Sequence, residues 1–111
     1  MLWKFETKNF RIELTQEPEY ENFRDSMDES LWEETAEKLE SGEWQLFCAK
    51  VSVNLKYADA ELGTSYLGMC IYESLDEFRL AGDYFRDMVA EAITEARDTL
   101  GRINTIKTRK A

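Results

Sequence analysis

Carboxylates are the one chemically capable group that this sequence supplies in quantity. Eleven acidic side chains and only two basic ones, Arg24 and Lys38, fall between Glu17 and Glu43. Glu29, Glu33, Glu37 and Glu40 recur there at the spacing of one helix face, and Lys38 projects roughly opposite to them on the helical wheel. A second acidic row, Asp87, Glu91, Glu95 and Asp98, recurs in register near the C-terminus. Paired carboxylates hold hard cations, and Asp25, Asp28 and Glu29 are close enough in sequence to suggest that use. The chain has no D-x-[DN]-x-[DN]-G loop, however, so no metal and no cofactor is expected.

Other chemistry is thinly provided. There is no histidine, which removes the usual serine and cysteine triads, imidazole acid–base catalysis and the usual zinc hydrolase sites. The five glycines are scattered singly, so no glycine-rich phosphate loop exists. Cys48 and Cys70 lie in apolar, strand-like stretches without nearby cations that would activate a thiol, and they read as buried free thiols. The expectation is a protein that binds and does not catalyse.

The elements that must carry these residues are legible from periodicity. Trp3 to Thr7 and Phe10 to Leu14 alternate apolar with polar across Lys8-Asn9, as in a β-hairpin, and Pro18 closes the second strand. Residues 17–27 read as a loop. Ser26-Met-Asp-Glu29 has a capping-box pattern, with Asp28 or Ser30 as other caps, and opens a helix that runs to about Leu39 or Glu40 and stops at Gly42. Leu31, Trp32, Thr35, Ala36 and Leu39 form its apolar side, which is expected to face the core. From Trp44 to Tyr57 strict alternation marks a long half-buried strand, Asp59 to Gly63 a turn, and Tyr66 to Tyr72 a fourth strand in which Gly68 suggests a bulge or a close approach by a neighbour. Ser74-Leu-Asp-Glu77 caps a short helix. Asp83 is then expected to cap a last helix from Tyr84 to Leu100, with Gly101 ending it.

The order strand, strand, helix, strand, strand, short helix, long helix predicts one α+β domain over residues 1–111. A mostly antiparallel four-stranded sheet would pack in two layers against the long C-terminal helix, with another helix between the two hairpins. The apolar stripe of the long C-terminal helix is Phe85, Met88, Val89, Ala92, Ile93, Ala96 and Leu100. Residues 102–111 hold four basic residues and no acid, a tail that either frays, folds back on the acidic surface or touches a partner.

The net charge of −9 disfavours direct contact with nucleic acid or an anionic membrane. No apolar run approaches a membrane span, and no secretory leader is visible, so a cytoplasmic setting is expected. Two readings of the glutamate row remain open. It is a solvated helix face kept for solubility, or its carboxylates stand in for phosphates. Four helical residues advance about 6 Å, close to the spacing of successive phosphates on one strand.

Trp3-Lys-Phe-Glu-Thr7 with Phe10-Arg-Ile-Glu-Leu14 resembles the opening of small uncharacterised proteins encoded by phages and prophages. Leu67-Gly68, Phe78, Tyr84 to Val89, Ala92 and Glu95-Ala-Arg97 are similar to how those proteins finish. The resemblance covers about half of the chain and leaves out residues 17–45. It implies a setting in the host cytoplasm, where short acidic proteins of this origin often block host defences, including anti-CRISPR proteins that occlude a nucleic-acid channel. It carries over no catalytic residue.

The reading that follows is an inhibitor that binds the basic, nucleic-acid-binding surface of a host defence complex. Asp25, Asp28, Glu29, Glu33, Glu37, Glu40, Asp87, Glu91 and Glu95 would be its contact residues. The first alternative sequesters a small signalling nucleotide, which the net charge opposes unless Arg79, Arg86 or Arg97 converge in a pocket. The second is a non-inhibitory accessory protein that works as a homodimer.

Overall fold

A computed structural model describes residues 2–58 and 60–110, with side chains for 3–58 and 60–103. Four strands form one antiparallel sheet in chain order: β1 (Leu2–Glu6), β2 (Phe10–Glu17), β3 (Gln45–Leu55) and β4 (Glu61–Tyr72). Three helices accompany it: α1 (Trp32–Ser41), α2 (Leu75–Ala81) and α3 (Phe85–Lys110). The α+β, two-layer arrangement expected from the sequence is present. Asp59, which opens the expected turn, and the tail side chains beyond Ile103 lie outside the described residues.

Alternation turns one set of strand side chains toward the helices. In register, Trp3 pairs with Leu14 and Leu14 with Val51, while Phe5 pairs with Ile12 and Ile12 with Val53. Leu14, Phe47, Ala49, Val51 and Val53 are fully buried on this face. α2 closes one end of it: Phe78 meets Phe47 edge-on at 6.2 Å and Tyr72 at 5.3 Å. Each such buried aromatic or aliphatic side chain stabilises the fold by about 1.5–3 kcal/mol.

α3 lies over β3 and β4, with Phe85, Met88, Ala92 and Ala96 buried and Val89, Ile93 and Leu100 half-buried beside them. The small residues Ala92 and Ala96 let the helix sink onto β4. Gly63 completes this approach, because a Cβ there would run into Ala92 O and come within 2.8 Å of Ala96 N. Thr99 fastens the helix by donating its hydroxyl to Leu62 O at 3.1 Å.

The expected helix starts and stops differ in places. Ser74 caps α2 by accepting the Glu77 N–H at 3.1 Å, as its capping box predicts. Gly42 and Gly82 end α1 and α2 in the left-handed conformation, at φ 83° and 77°. Ser26 caps nothing and instead donates to Phe23 O within a 3₁₀ turn, Phe23–Ser26. A second 3₁₀ turn, Glu29–Leu31, starts at Asp28 and leads into α1.

α3 does not end at Gly101 but continues to Lys110. One interior glycine costs a helix only about 1 kcal/mol, and no proline follows to stop it. β4 also begins five residues before the expected Tyr66. Ser52 and Asn54, expected on the solvated side of β3, are buried there, since their register partners include the long side chains Glu13, Arg11 and Glu61.

The larger departure is α1. No α1 side chain joins the main core cluster, although Thr35 is buried and Trp32, Ala36 and Leu39 are half-buried. Leu31 remains 48% exposed. The helical side of the main core cluster comes from α2 and α3, and α1 packs locally instead. Trp32 Nε1 donates to Met27 O at 3.1 Å, and Trp44 N donates to Lys38 O at 3.1 Å.

Candidate functional site

The acidic surface is built on the excursion between β2 and β3. Asp25 is exposed in the first 3₁₀ turn, and Asp28 precedes the second, accepting the Ser30 hydroxyl at 3.2 Å. Glu29 sits in that second turn, not in α1, so the regular row is Glu33, Glu37 and Glu40. All three are exposed. Lys38 pairs with Glu43 at 3.0 Å, outside the row, and this hydrogen-bonded carboxylate raises the lysine's pKa above its ordinary value. Arg24 is exposed beside the row. With Glu33, Glu37 and Glu40 it lines a shallow hollow, while its guanidinium stacks over Phe23 at 4.7 Å.

The second acidic row is not continuous with the first. Asp87, Glu91 and Glu95 are exposed on α3, but Glu95 accepts the Thr64 N–H at 3.4 Å. α1 rejoins the sheet at Gln45, whose register partner is Tyr72. Thr64 and Tyr72 are eight residues apart on β4, a run of about 25 Å. The two rows are therefore anchored toward opposite ends of the sheet. The nine acidic residues singled out from the sequence divide into an α1 group of six and an α3 group of three.

Of the aromatics near segment edges, Tyr20 and Tyr84 are exposed at 90% and 52%, whereas Phe23 is buried. The thiols are quiet. Burial pushes Cys70 up to about 11, and burial followed by the charges of Glu19 and Glu17 raises Cys48. Among the described residues no group of three or more His, Cys, Asp or Glu side chains could hold a metal ion. Among the described residues no helix is long and apolar enough to cross a membrane.

A feature that periodicity did not reveal lies on the other side of α3. Because that helix covers β3 and β4, the inner face near β1 stays partly open. Trp3, Phe5 and Ile12 on the sheet, with Phe85, Val89 and Ile93 on α3, bound an apolar groove of about 560 Å³. Arg79 and Arg86 line the same groove, while Arg97 does not. Its sequence signal is faint, since Trp3 and Phe5 look like ordinary inward strand positions.

These features define an α+β fold with an acidic surface and an apolar groove bordered by arginines. The chain matches no known protein family, no curated protein and no solved structure.

Proposed function

We propose that this protein is a non-catalytic, phage-type inhibitor of a host nucleic-acid-targeting defence complex. It acts in the host cytoplasm by placing acidic side chains on a basic nucleic-acid-binding surface. A CRISPR effector is the first target of this kind to test.

The supporting observation is the position of α1. Glu33, Glu37 and Glu40 stand exposed on a helix that adds nothing to the main core cluster, and none of them makes an ion pair among the described residues. The row is thus not tied up in ion pairs. Its advance of about 6 Å per four residues matches a phosphate repeat, and carboxylates on arginine give strong, salt-sensitive contacts. Asp25, Asp28 and Glu29 extend the same surface. Asp87, Glu91 and Glu95 belong to it only for a target broad enough to reach both ends of the sheet.

The test adds purified protein to a purified, guide-loaded effector and measures binding of its target DNA. Inhibition should fall as salt rises and should be lost in the Glu33→Gln, Glu37→Gln, Glu40→Gln variant. Inhibition that survives both changes would replace charge mimicry with blockage by shape. No inhibition of any nucleic-acid-guided effector would remove the proposal.

A further inference from the structure

The groove beside α3 combines an apolar body with a cationic rim, on a chain whose net charge is −9. Among the described residues, its only charged lining side chains are Arg79 and Arg86. Arg79 is held in place by its own surroundings: the guanidinium lies over the Trp3 ring at 5.4 Å, and Asp76 Oδ1 stands 3.7 Å from Nε. That Nε is nonetheless buried without a hydrogen-bond partner, a costly condition for a charged group. Arg86 is exposed and has no ion-pair partner among the described residues. Two guanidinium groups with unused donors therefore border one apolar cavity.

The walls say what the rest of the ligand is. Trp3 is fixed by Phe85, edge-on at 5.2 Å, and stacks with Phe5 at 6.4 Å and an interplanar angle of 8°. Phe5 remains 54% exposed and Leu80 70% exposed, a large apolar area for a free surface. A volume of about 560 Å³ lies within the range of small-molecule sites.

We infer that this groove binds a small amphipathic organic anion, an apolar or aromatic body with a single carboxylate, sulfonate or phosphate head held by Arg79 and Arg86. A nucleotide polyphosphate fits less well, because two arginines cannot neutralise it while Asp76, Asp83 and Asp87 stand close in sequence. The inference does not rest on the acidic-surface reading, since the groove shares no residue with α1.

The probe is 1-anilinonaphthalene-8-sulfonate, compared with N-phenyl-1-naphthylamine, which has the same apolar body and no charge. Fluorescence titration of the full chain at about 0.15 M salt should show one saturable site for the sulfonate, at least tenfold tighter than for the neutral compound. Arg86→Gln should remove most of that preference without lowering the melting temperature, because the side chain is exposed. Arg79→Gln should do the same. If it also loosens the Trp3 packing, Arg86→Gln decides alone. Backbone and indole NMR shifts on adding the sulfonate should centre on Trp3, Phe5 and Val89.

Equal affinity for the two compounds, an unchanged preference in Arg86→Gln, or shifts centred on α1 would each overturn the inference. So would a stable dimer, seen by sedimentation, whose formation excludes the probe. The groove would then be a contact between two copies of the chain.

Discussion

The carboxylate of Glu19 accepts the backbone N–H of Met69 at 2.8 Å, joining residues 50 apart in the chain. Met69 is the only non-glycine residue at positive φ among the described residues, at 55°, in the β4 bulge where the register to β3 shifts between Phe47 and Ala49. A bulge leaves a ladder N–H unpaired, and Glu19 supplies the missing acceptor. The same carboxylate also accepts the Glu21 N–H at 3.1 Å.

This relationship sets a pH dependence. The Met69 N–H, then that of Glu21, hold Glu19 below the ordinary carboxylate range. A carboxylate depressed in the folded state contributes stability above its unfolded pKa, and that contribution is lost as pH falls through the folded value. Glu19→Gln should therefore be less stable than the parent at pH 7. Its further loss between pH 6 and 3 should be smaller, as read from urea midpoints. An acid slope as steep as the parent's would show that Glu19 does not titrate with folding.

Gly63 should tolerate no side chain. Gly63→Ala would drive a Cβ against the α3 backbone at Ala92 and Ala96, and neither backbone can yield alone. The expected cost is about 3 kcal/mol, the upper range for overpacking a core, measured by chemical denaturation. Gly101→Ala, with open space around its Cβ and a helical backbone, should instead stabilise by about 0.5–1 kcal/mol.

The glutamate row should cost stability, not add to it. Glu33 and Glu37 form a like-charged i, i+4 pair, worth about 0.2–0.5 kcal/mol of repulsion. Changing Glu33, Glu37 and Glu40 to Gln should leave the fold intact and raise the melting temperature by about 1–3 °C at low salt. The gain should shrink at about 0.5 M salt as screening removes the repulsion. A drop in melting temperature would mean that these carboxylates hold the excursion together.

Thiol labelling should separate the two cysteines. With Cys70 pushed up to about 11, its thiolate fraction at pH 8 is about a thousandth, and the group is also 3% exposed. In native protein it should react with a disulfide reagent at least a hundredfold more slowly than in guanidinium, with Cys48 intermediate. Fast labelling of both would contradict the packing around the β4 bulge.

Much of the fold is legible in the sequence itself. The α3 stripe from Phe85 to Leu100 and the alternation along β3 each depend on neighbours a few residues away. So do the Ser74 cap and the glycine stops at Gly42 and Gly82. Gly68 also marked the bulge correctly, although the left-handed residue proved to be Met69. The sequence is less informative about α1, whose amphipathic pattern suggests a place in the main core that α2 and α3 take instead. It misjudged Gly101 too, because a glycine ends a helix only where the chain has reason to turn.

Composition and periodicity by themselves determined an α+β domain with an acidic helix, no histidine chemistry and a sheet in hairpin order. Those properties follow from local spacing and from charge, which need no partner to be read. Only the tertiary structure decided that α1 stands outside the core and that the two acidic rows anchor at opposite ends of the sheet. It also decided that Arg79 and Arg86 share a groove with Trp3 and Phe5. Each of these depends on contacts between segments distant in sequence, of the kind that α3 makes with β4 at Gly63, and no local pattern encodes them.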